Sequence, residues 1–429
     1  IQLSARVAGA QYDDERNTWT LSLETEKIES RFCIMATGCL SSTNSPSLTG
    51  ADSFKGETYH TGRWPKSEVN FSGKRVGVIG TGSSAIQSIP EIAKEAEHLY
   101  VFQRTPNFSV PAENHVVDKT IEREIKTNYK KYRKEWAEKP FAYDLKVNES
   151  KAKEASKEEL LVEYERRWQD GGLMFLGAFS DLLFDEKANG TAADFVRAKI
   201  ESIVKNPEIA SKLMPDHHIG CKRLCADTGY YETFNQDNVS LIDVKADPIQ
   251  SLVSGGLALS SGRDFKLDAL VLATGFDAMT GALDKIKILG RNGISLKEKW
   301  KEGPKTYLGL GMSGFPNLFH IAGPGSPSVL TNMLVSIQQH VEWISDCISW
   351  MGKHKFSKIE AREQAEEDWV KHVNEVADLT VYPSCNSWYL GANIPGKARQ
   401  FMPYVGGYPP YAEKCKVVAN NDYEGFELS

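Results

Sequence analysis

The composition of the chain is typical of a globular protein: 429 residues, 41% hydrophobic and 25% charged, with a formal net charge of −6. This length allows two or three domains, each with a buried core. Nucleic acid is not expected as a partner, because no basic patch dominates the sequence. No apolar run is long enough to cross a bilayer, so a membrane span is not expected either.

The cysteines and the lack of a recognisable signal peptide indicate the cellular compartment in which the protein is expected. Seven cysteines are scattered along the chain, and none has the spacing of a zinc site with matching histidines. Buried thiols in a reducing compartment are the preferred interpretation. We therefore expect a cytoplasmic protein without a metal site.

The first residues already have the pattern of paired strands. Apolar and polar side chains alternate over residues 18–25, and the polar residues 13–17 suit a turn. Because Ile1 is not Met and the chain opens inside a sheet, we expect a fragment of a longer protein. A short apolar strand, Phe32–Met35, follows and ends in Ala-Thr-Gly at 36–38.

A strand, a glycine-rich turn and a helix follow one another from residue 75, and the turn has the pattern Gly80-x-Gly82-x-x-Ala85. The first glycine permits a tight turn, the second lets a diphosphate approach the backbone, and the third small residue lets helix and strand pack closely. Free N–H groups at the helix start can then bind the diphosphate. The expected dinucleotide contacts are Gly80, Thr81, Gly82, Ser83, Ser84, Ala85 and Gln87.

The end of the next strand, 99–103, distinguishes the two nicotinamide dinucleotides. NAD-specific sites place an acidic residue there, which holds the ribose 2′-hydroxyl. This chain has Arg104 and Thr105 instead. Since a guanidinium pairs well with a phosphate, the sequence favours NADP over NAD.

Residues 112–220 are rich in Lys and Glu with helical periodicity, and they predict a helical insertion with a solvated face. Its apolar stretch 173–184 is expected to line an interior or a pocket. A second apolar strand ends in Ala-Thr-Gly at 273–275. Because two such strands bracket the dinucleotide turn, we predict one domain inserted into another, with the chain leaving the outer domain near Gly38 and re-entering it near Gly275.

The segment 54–65, FKGETYHTGRWP, matches the FxGxxxHxxxW[P/D] fingerprint of Baeyer–Villiger monooxygenases through Phe54, Gly56, His60, Trp64 and Pro65. It stands just before the dinucleotide turn, as in that family. Other stretches resemble the same family: 36–41, 73–87, 101–111, 220–239, 272–276, 323–343 and 386–397. The chain thus resembles Baeyer–Villiger monooxygenases over nearly its whole length, and least in the helical insertion.

The resemblance implies an α/β flavoprotein with two dinucleotide-binding domains, in which a Rossmann-like NADP domain is inserted in an FAD domain and carries the helical insertion. The expected division is 1–50 for the remainder of the FAD domain with its crossover strand, 51–111 and 221–264 for the NADP domain with the fingerprint, 112–220 for the helical insertion, and 265–429 for the C-terminal part of the FAD domain with a mobile lid loop.

The family's reaction inserts one atom of O₂ beside a ketone carbonyl and gives an ester or lactone. NADPH reduces FAD in this reaction, so the implied cofactors are FAD and NADPH and the implied partners are a ketone and O₂. Negatively charged species form near the flavin, and a fixed cation would stabilise them. The resemblance gives this catalytic role to Arg223, whose guanidinium stays protonated, and a 2′-phosphate contact to Lys222.

Five further residues receive roles from the resemblance. His60 and Trp64 are placed with the catalytic site, where we favour a structural or conformational role for His60 over proton transfer, and a packing role for Trp64. Asn332 and Met333 are expected to touch the flavin. Trp388 is expected on a mobile loop that closes over NADP.

Two alternatives stay open: an N- or S-oxidising flavin monooxygenase, and an inactive NADP-binding fragment. The fingerprint ending and the segment 220–223, GCKR, favour the Baeyer–Villiger interpretation. No glycine motif for the ADP half of FAD precedes residue 36, which supports the fragment. The sequence does not decide between a monomer and a homo-oligomer, or which ketone is the substrate.

Overall fold

The computed structural model describes all 429 residues, and they divide into two compact units. The first unit comprises residues 1–42, 117–145 and 277–429, and the second comprises residues 43–116 and 146–276. Both units are discontinuous in sequence. The division between them runs through the predicted insertion 112–220, whose first two helices belong to the first unit.

Strands and α-helices alternate irregularly along the chain. The strands are β1 (Gly9–Asp13), β2 (Thr18–Ser22), β3 (Lys27–Ser30), β4 (Cys33–Met35), β5 (Glu57–His60), β6 (Arg75–Ile79), β7 (His98–Gln103), β8 (Ser109–Pro111), β9 (Cys225–Asp227), β10 (Val239–Asp243), β11 (Ile249–Val253), β12 (Gly256–Leu259), β13 (Asp264–Lys266), β14 (Ala269–Leu272), β15 (Lys287–Leu289), β16 (Leu318–His320), β17 (Ile359–Ala361) and β18 (Phe426–Leu428). The α-helices are α1 (Ser83–Glu95), α2 (Lys119–Thr127), α3 (Tyr129–Ala137), α4 (Lys157–Asp170), α5 (Glu186–Ile203), α6 (Pro207–Leu213), α7 (Tyr230–Thr233), α8 (Leu296–Lys299), α9 (Met333–His354), α10 (Glu363–Asp378) and α11 (Tyr408–Asn420).

The second unit is built on a five-stranded, all-parallel sheet of order β10-β7-β6-β14-β5. The chain passes from β6 through α1 to β7 on one side, while β14 lies on the other side of β6. The strand order thus changes direction between β6 and β14. Open α/β sheets bind ligands at such a switch point, beyond the carboxyl ends of the strands. The predicted dinucleotide turn therefore occupies the favoured position in the sheet.

Helix α1 forms because its apolar residues recur at helical spacing and face the sheet. Ile86, Ile89 and Ile92 are buried on that face. Each buried isoleucine side chain contributes about 2–3 kcal/mol relative to an exposed one. The opposite face of the sheet is covered by the small antiparallel sheet β11-β12-β13, so the strands of the large sheet are apolar on both faces.

The apolar stretch 173–184 lies in the core of the second unit. Phe175, Phe179 and Leu182 are buried there. Tyr164 of α4 packs on Phe175 and Phe179 with ring centroids 5.7 and 5.4 Å apart. The stretch therefore lines an interior, as expected.

The first unit contains a four-stranded sheet of order β15-β1-β2-β3 and the long helix α9. Trp19 of β2 is fully buried, and its Nε1 donates to Pro316 O at 2.8 Å. Helix α9 begins after Asn332, whose side chain accepts from Leu334 N, and it packs against α11. The sequence predicts one long helix from about Asn332 to Met351, and α9 confirms it.

Two predicted elements need correction. The spacing of Ile121, Ile125, Tyr129 and Tyr132 predicts one amphipathic helix, but the chain forms two helices that meet at Asn128, and neither helix buries a residue. The strand predicted as buried over Phe32–Met35 is β4, and Ile34 within it is 48% exposed. Among the helices, none combines the length and the apolar character that a membrane span requires.

The cysteines agree with the prediction only in part. Buried free thiols are found at Cys33, Cys39, Cys225, Cys347 and Cys415. The expectation of thiols is wrong for Cys221 and Cys385, because both are disulfide-bonded.

Candidate active site

The turn between β6 and α1 depends on Gly80 for the packing of the chain itself. Gly80 has φ +112°, and a Cβ added there would lie 2.5 Å from Ala273 O. Its N–H donates to Phe102 O at 3.1 Å. Gly80 therefore lets the turn pass close to the backbone that follows β14, and any side chain would clash with that backbone.

Gly82 serves a different purpose, because nothing in the chain crowds it. A Cβ added at Gly82 would meet no atom within 4 Å. Gly82 is the N-cap residue of α1, and no side chain caps the helix there. The N-terminal N–H groups of a 13-residue helix thus face open space, which fits the approach of a diphosphate to the backbone.

The other residues of the turn divide by exposure. Thr81 is buried, and its Oγ1 donates to Thr105 O at 2.9 Å. This bond joins the turn to the end of β7, so the Thr81 hydroxyl serves the fold. Ala85 is fully buried against the sheet. The residues of α1 that keep exposed or half-buried side chains near its start are Ser83, Ser84 and Gln87.

A group of cations, which we call the cation cluster, gathers at the carboxyl edge of the sheet: Arg104, Lys222 and Lys245. Burial lowers the pKa of Lys222; Asp216 opposes this shift, and the positive charges of Arg104 and Lys245 add to it. Lys222 thus lies within electrostatic range of two other cations and one carboxylate, and this excess of positive charge favours the binding of an anion. The cluster therefore fits a phosphate group, as expected for Arg104 and Lys222.

Sequence reasoning missed Lys245. It follows β10, which is the neighbour of β7 in the sheet. Parallel strands end at the same edge, so a cation after β10 comes to the same place as Arg104, which follows β7. A correct strand order would have been needed to predict this residue.

Arg223 is exposed and stands next to the half-buried Lys222, between the buried residues Cys221 and Leu224. Its backbone is positioned by the parallel pair β8-β9, and Asn107 Nδ2 donates to Arg223 O at 3.3 Å. The segment thus offers a half-buried lysine and an exposed guanidinium side by side. Such a pair can bind a cofactor phosphate with one residue and stabilise nearby negative charge with the other.

His60 is held by hydrogen bonds through both ring nitrogens. Nδ1 accepts from Gly62 N at 3.0 Å, and Nε2 lies 3.1 Å from Asn44 O. Because Asn44 O can only accept, Nε2 carries the proton. Thr274 Oγ1 lies 3.3 Å from the same nitrogen, so His60 joins the end of β5 to the segment after β14. These bonds support the structural role over proton transfer.

Trp64 lies among aromatic rings rather than in a cleft. Its centroid is 5.5 Å from that of Tyr59 and 6.2 Å from that of Phe71. Trp64 is 41% exposed. The contacts suit the packing role expected for it.

Three of the expected cofactor residues belong to the first unit. Asn332 caps α9, and Met333 is the first residue of that helix. Trp388 begins a short 3-10 helix, Trp388–Leu390, and its ring centroid lies 4.2 Å from that of Tyr389. Lys397, at the end of the predicted lid loop, anchors it through an ion pair with Asp277 of 2.6 Å.

Buried hydroxyls without partners lie near the crossover segments. Ser42 Oγ and Thr43 Oγ1, shortly after the first Ala-Thr-Gly, have no hydrogen-bond partner, and neither does Ser387 Oγ beside Trp388. Buried polar groups are almost always satisfied, so an unpaired hydroxyl is a place where a bound polar group fits. These residues are compatible with a second dinucleotide such as FAD.

Comparison with known proteins supports the family resemblance that the sequence indicates. Residues 24–119 match the family model described as flavin-binding monooxygenase-like. Cyclohexanone 1,2-monooxygenase of Acinetobacter sp. is 42% identical over 100% of this chain and 78% of its own length. Phenazine N-monooxygenase PhzNO1 of Lysobacter antibioticus is 39% identical, over 100% of this chain and 79% of its own.

One similar solved structure has NADP bound. The oxidised steroid monooxygenase bound to NADP superposes with a TM-score of 0.93 and 46% identity, over 99% of this chain and 80% of that chain. The chain belongs to the Baeyer–Villiger monooxygenase family. It is accordingly a flavin-dependent NADPH monooxygenase of mixed α/β fold, which confirms the fold class and the enzyme class expected from the sequence.

Proposed function

We propose that this chain binds NADPH at the turn 80–85 and the cation cluster, binds FAD, and inserts one oxygen atom of O₂ beside the carbonyl of a ketone. The product is an ester or a lactone. The observation that carries the proposal is the cation cluster at the carboxyl edge of the sheet whose switch point holds the uncapped N-terminus of α1. Family membership supplies the reaction class.

NADPH binding uses two features of the same sheet edge. The N–H groups at the start of α1 would hold the diphosphate, with Gly82 allowing its close approach. Arg104, Lys222 and Lys245 would hold the 2′-phosphate, whose negative charge offsets the repulsion among them. NADH lacks this phosphate, so we expect a preference for NADPH.

FAD, when bound, takes up reducing equivalents from NADPH and activates O₂. In this proposal the hydroxyls of Ser42 and Thr43 gain hydrogen-bond partners from it, and Asn332 and Met333 lie beside it. The closure of a mobile loop with Trp388 over NADP stays a prediction.

Arg223 would stabilise the negative charge that develops when oxygen is transferred to the ketone. A guanidinium remains charged at every working pH and needs no proton exchange to do this. The residue before it, Lys222, binds the cofactor. The two functions therefore share one backbone segment, and movement of that segment would affect both.

The test of this role is Arg223→Ala in the full chain loaded with flavin. We expect NADPH to reduce the flavin at a near-normal rate in stopped-flow absorbance, while ester formation falls about 100-fold or more. Arg263→Ala, which changes an arginine elsewhere in the second unit, is the control and should affect neither. Unchanged ester formation in Arg223→Ala would refute the assignment.

Cyclic ketones are the substrates proposed first, because the cyclohexanone enzyme is 42% identical to this chain. Cyclohexanone and a steroid ketone should be compared with a linear ketone at equal concentration. Ketone-dependent NADPH oxidation and the ester or lactone are the readouts. Oxidation of NADPH without either product would count against a ketone substrate.

N-oxidation is the second candidate, since a phenazine N-monooxygenase is 39% identical over the whole chain. A competition assay with a cyclic ketone, a phenazine and a thioether separates the functions. We expect the lactone as the main product. Predominant N-oxide or sulfoxide would favour the alternative.

A cytoplasmic location is also inferred. The five buried thiols support it, whereas the bonded state of Cys221 and Cys385 opposes it. Cell fractionation combined with thiol titration of the native protein would decide.

A further inference from the structure

The cation cluster combines positive charges from separate segments of the chain, so these segments must be held together. Arg104 follows β7, whereas Lys222 stands more than a hundred residues later in the loop before β9. Their like charges repel, and Lys222 is half-buried. The bond of Asn107 Nδ2 to Arg223 O and the β8-β9 pair already join the two segments, and a further connection would help to keep the cations together at a phosphate site.

His217 lies where such a connection is needed. Its Nε2 is 3.3 Å from Pro106 O, two residues after Arg104, and its Nδ1 is 3.0 Å from His218 O in the loop that carries Lys222. The ring also packs edge-on against Phe108, with centroids 5.3 Å apart and planes at 89°. The imidazole therefore contacts both segments that supply the cluster.

We infer that His217 is a positioning residue: in the tautomer that carries the proton on Nε2, its ring donates to Pro106 O, helps to hold the segment of Arg104 beside the segment of Lys222, and so contributes to the preference for NADPH over NADH. The inference rests on the proposed NADPH site. It concerns the 2′-phosphate alone, because the diphosphate is expected at the separate turn 80–85.

The protonation of His217 supports this role. Nε2 faces Pro106 O, whereas Nδ1 faces His218 O and lies 3.6 Å from Cys221 Sγ, so a neutral ring donates on one of these two sides only. Burial lowers the pKa of His217, and the charge of Lys222 lowers it further, against the opposing effects of the two carbonyls and Asp216. A neutral ring can thus make the connection without adding a fourth positive charge to the cluster.

Other hydrogen bonds hold the same loop, so removing the His217 bond should leave it folded. Gln103 Nε2 donates to Lys212 O at 2.7 Å, and Arg197 Nε donates to Pro215 O at 2.8 Å. These bonds fix the segment before His217 to the sheet and to α5. The His217 ring adds a second contact between the two cation-bearing loops, beside the bond of Asn107 to Arg223 O.

Substitutions can separate the two ring nitrogens. In His217→Gln the side-chain amide reaches the position of Nε2 and can still donate to Pro106 O, whereas in His217→Asn the amide reaches only the position of Nδ1. His217→Phe keeps the ring packing on Phe108 and removes both ring nitrogens. His98→Asn is the matched control: His98 begins β7, at the end remote from Arg104, and its Nε2 lies 2.9 Å from Ser240 Oγ.

The experiment is calorimetric titration of the full, flavin-loaded chain with NADP⁺ and with NAD⁺. We expect His217→Asn and His217→Phe to weaken NADP⁺ binding about ten-fold, the factor of one lost hydrogen bond, and to leave NAD⁺ binding unchanged. His217→Gln and His98→Asn should keep the wild-type preference. Steady-state KM values for NADPH and NADH should change in the same ratio, with kcat unchanged.

Two results would overturn the inference: wild-type NADP⁺ affinity in both His217→Asn and His217→Phe, or equal weakening of NADP⁺ and NAD⁺. Should one variant be unstable by its melting temperature, the other still decides. Failure of the proposed NADPH site itself would be visible separately, as wild-type protein that binds NAD⁺ as tightly as NADP⁺.

Discussion

The turn at 80–85 and the cation cluster serve the same proposed cofactor, yet they are built in opposite ways. The turn is one contiguous segment between β6 and α1. The cluster draws Arg104 and Lys245 from the ends of the neighbouring strands β7 and β10, and Lys222 from the loop before β9. A contiguous motif carries its geometry in the sequence, whereas a dispersed site depends on strand order.

A second contrast lies within the turn. Gly80 is required by the protein's own backbone, since a Cβ would lie 2.5 Å from Ala273 O. Gly82 has open space around it, so any requirement for glycine there comes from the ligand. Substitution of Gly80 should therefore lower the stability of the protein, whereas substitution of Gly82 should weaken the binding of the dinucleotide.

The largest effect is expected for Gly80→Ala. The positive φ and the clash with Ala273 O should destabilise the second unit by about 2–4 kcal/mol, visible as a lower melting temperature and loss of NADP⁺ binding. Gly190→Ala, in α5 with no atom within 4 Å of an added Cβ, is the control. A Gly80→Ala protein that melts like wild type would show that the turn adjusts easily.

Gly82→Val should leave the melting temperature unchanged and weaken both NADP⁺ and NAD⁺ on the order of ten-fold or more, because both carry the diphosphate. Calorimetric titration of each dinucleotide measures this. Selective loss of NADP⁺ alone would contradict the assignment of the turn to the diphosphate.

Lys222→Ala should weaken NADP⁺ binding roughly ten-fold, and Lys245→Ala by a smaller factor because Lys245 is exposed. Neither should change NAD⁺ binding, and the effect of Lys245→Ala should diminish at high salt. Lys94→Ala, in the last turn of α1 away from the cluster, is the control. An equal effect on both dinucleotides would remove these lysines from the 2′-phosphate site.

The smallest expected effect is an uptake of protons when NADP⁺ binds. The pKa of Lys222 is lowered in the free protein by burial and by its cationic neighbours, and a bound phosphate should raise it again. NADP⁺ binding should then take up protons at alkaline pH and weaken as the pH rises through the lowered pKa. Titrations in buffers of different ionisation enthalpy would detect this uptake, which should be absent with NAD⁺ and in Lys222→Ala.

The parts of the fold that follow local rules could be predicted from the sequence. The strand, turn and helix around Gly80 and the long helix after Asn332 are of this kind, since periodicity and capping act over a few residues. The division of the predicted insertion between two units could not, because polar helical composition does not say what a helix packs against.

The candidate site, like the fold, could be predicted from the sequence only where it depends on local patterns. Arg104 and Lys222 could be proposed from position and resemblance, but the bond of Thr81 to Thr105 O and the place of Lys245 depend on tertiary contacts. His217 stood beside the GCKR segment without a distinguishing signal, because its partner Pro106 O is a backbone atom 111 residues away. Backbone acceptors leave no mark in a sequence.

The central claim, that this chain is an oxygen-inserting ketone monooxygenase, is tested most directly with isotopic oxygen. Flavin-loaded protein, NADPH and cyclohexanone should be incubated under ¹⁸O₂ and the product analysed by mass spectrometry. We expect a lactone that carries one ¹⁸O atom. NADPH oxidation that yields only hydrogen peroxide, or a lactone without the label, would contradict the claim.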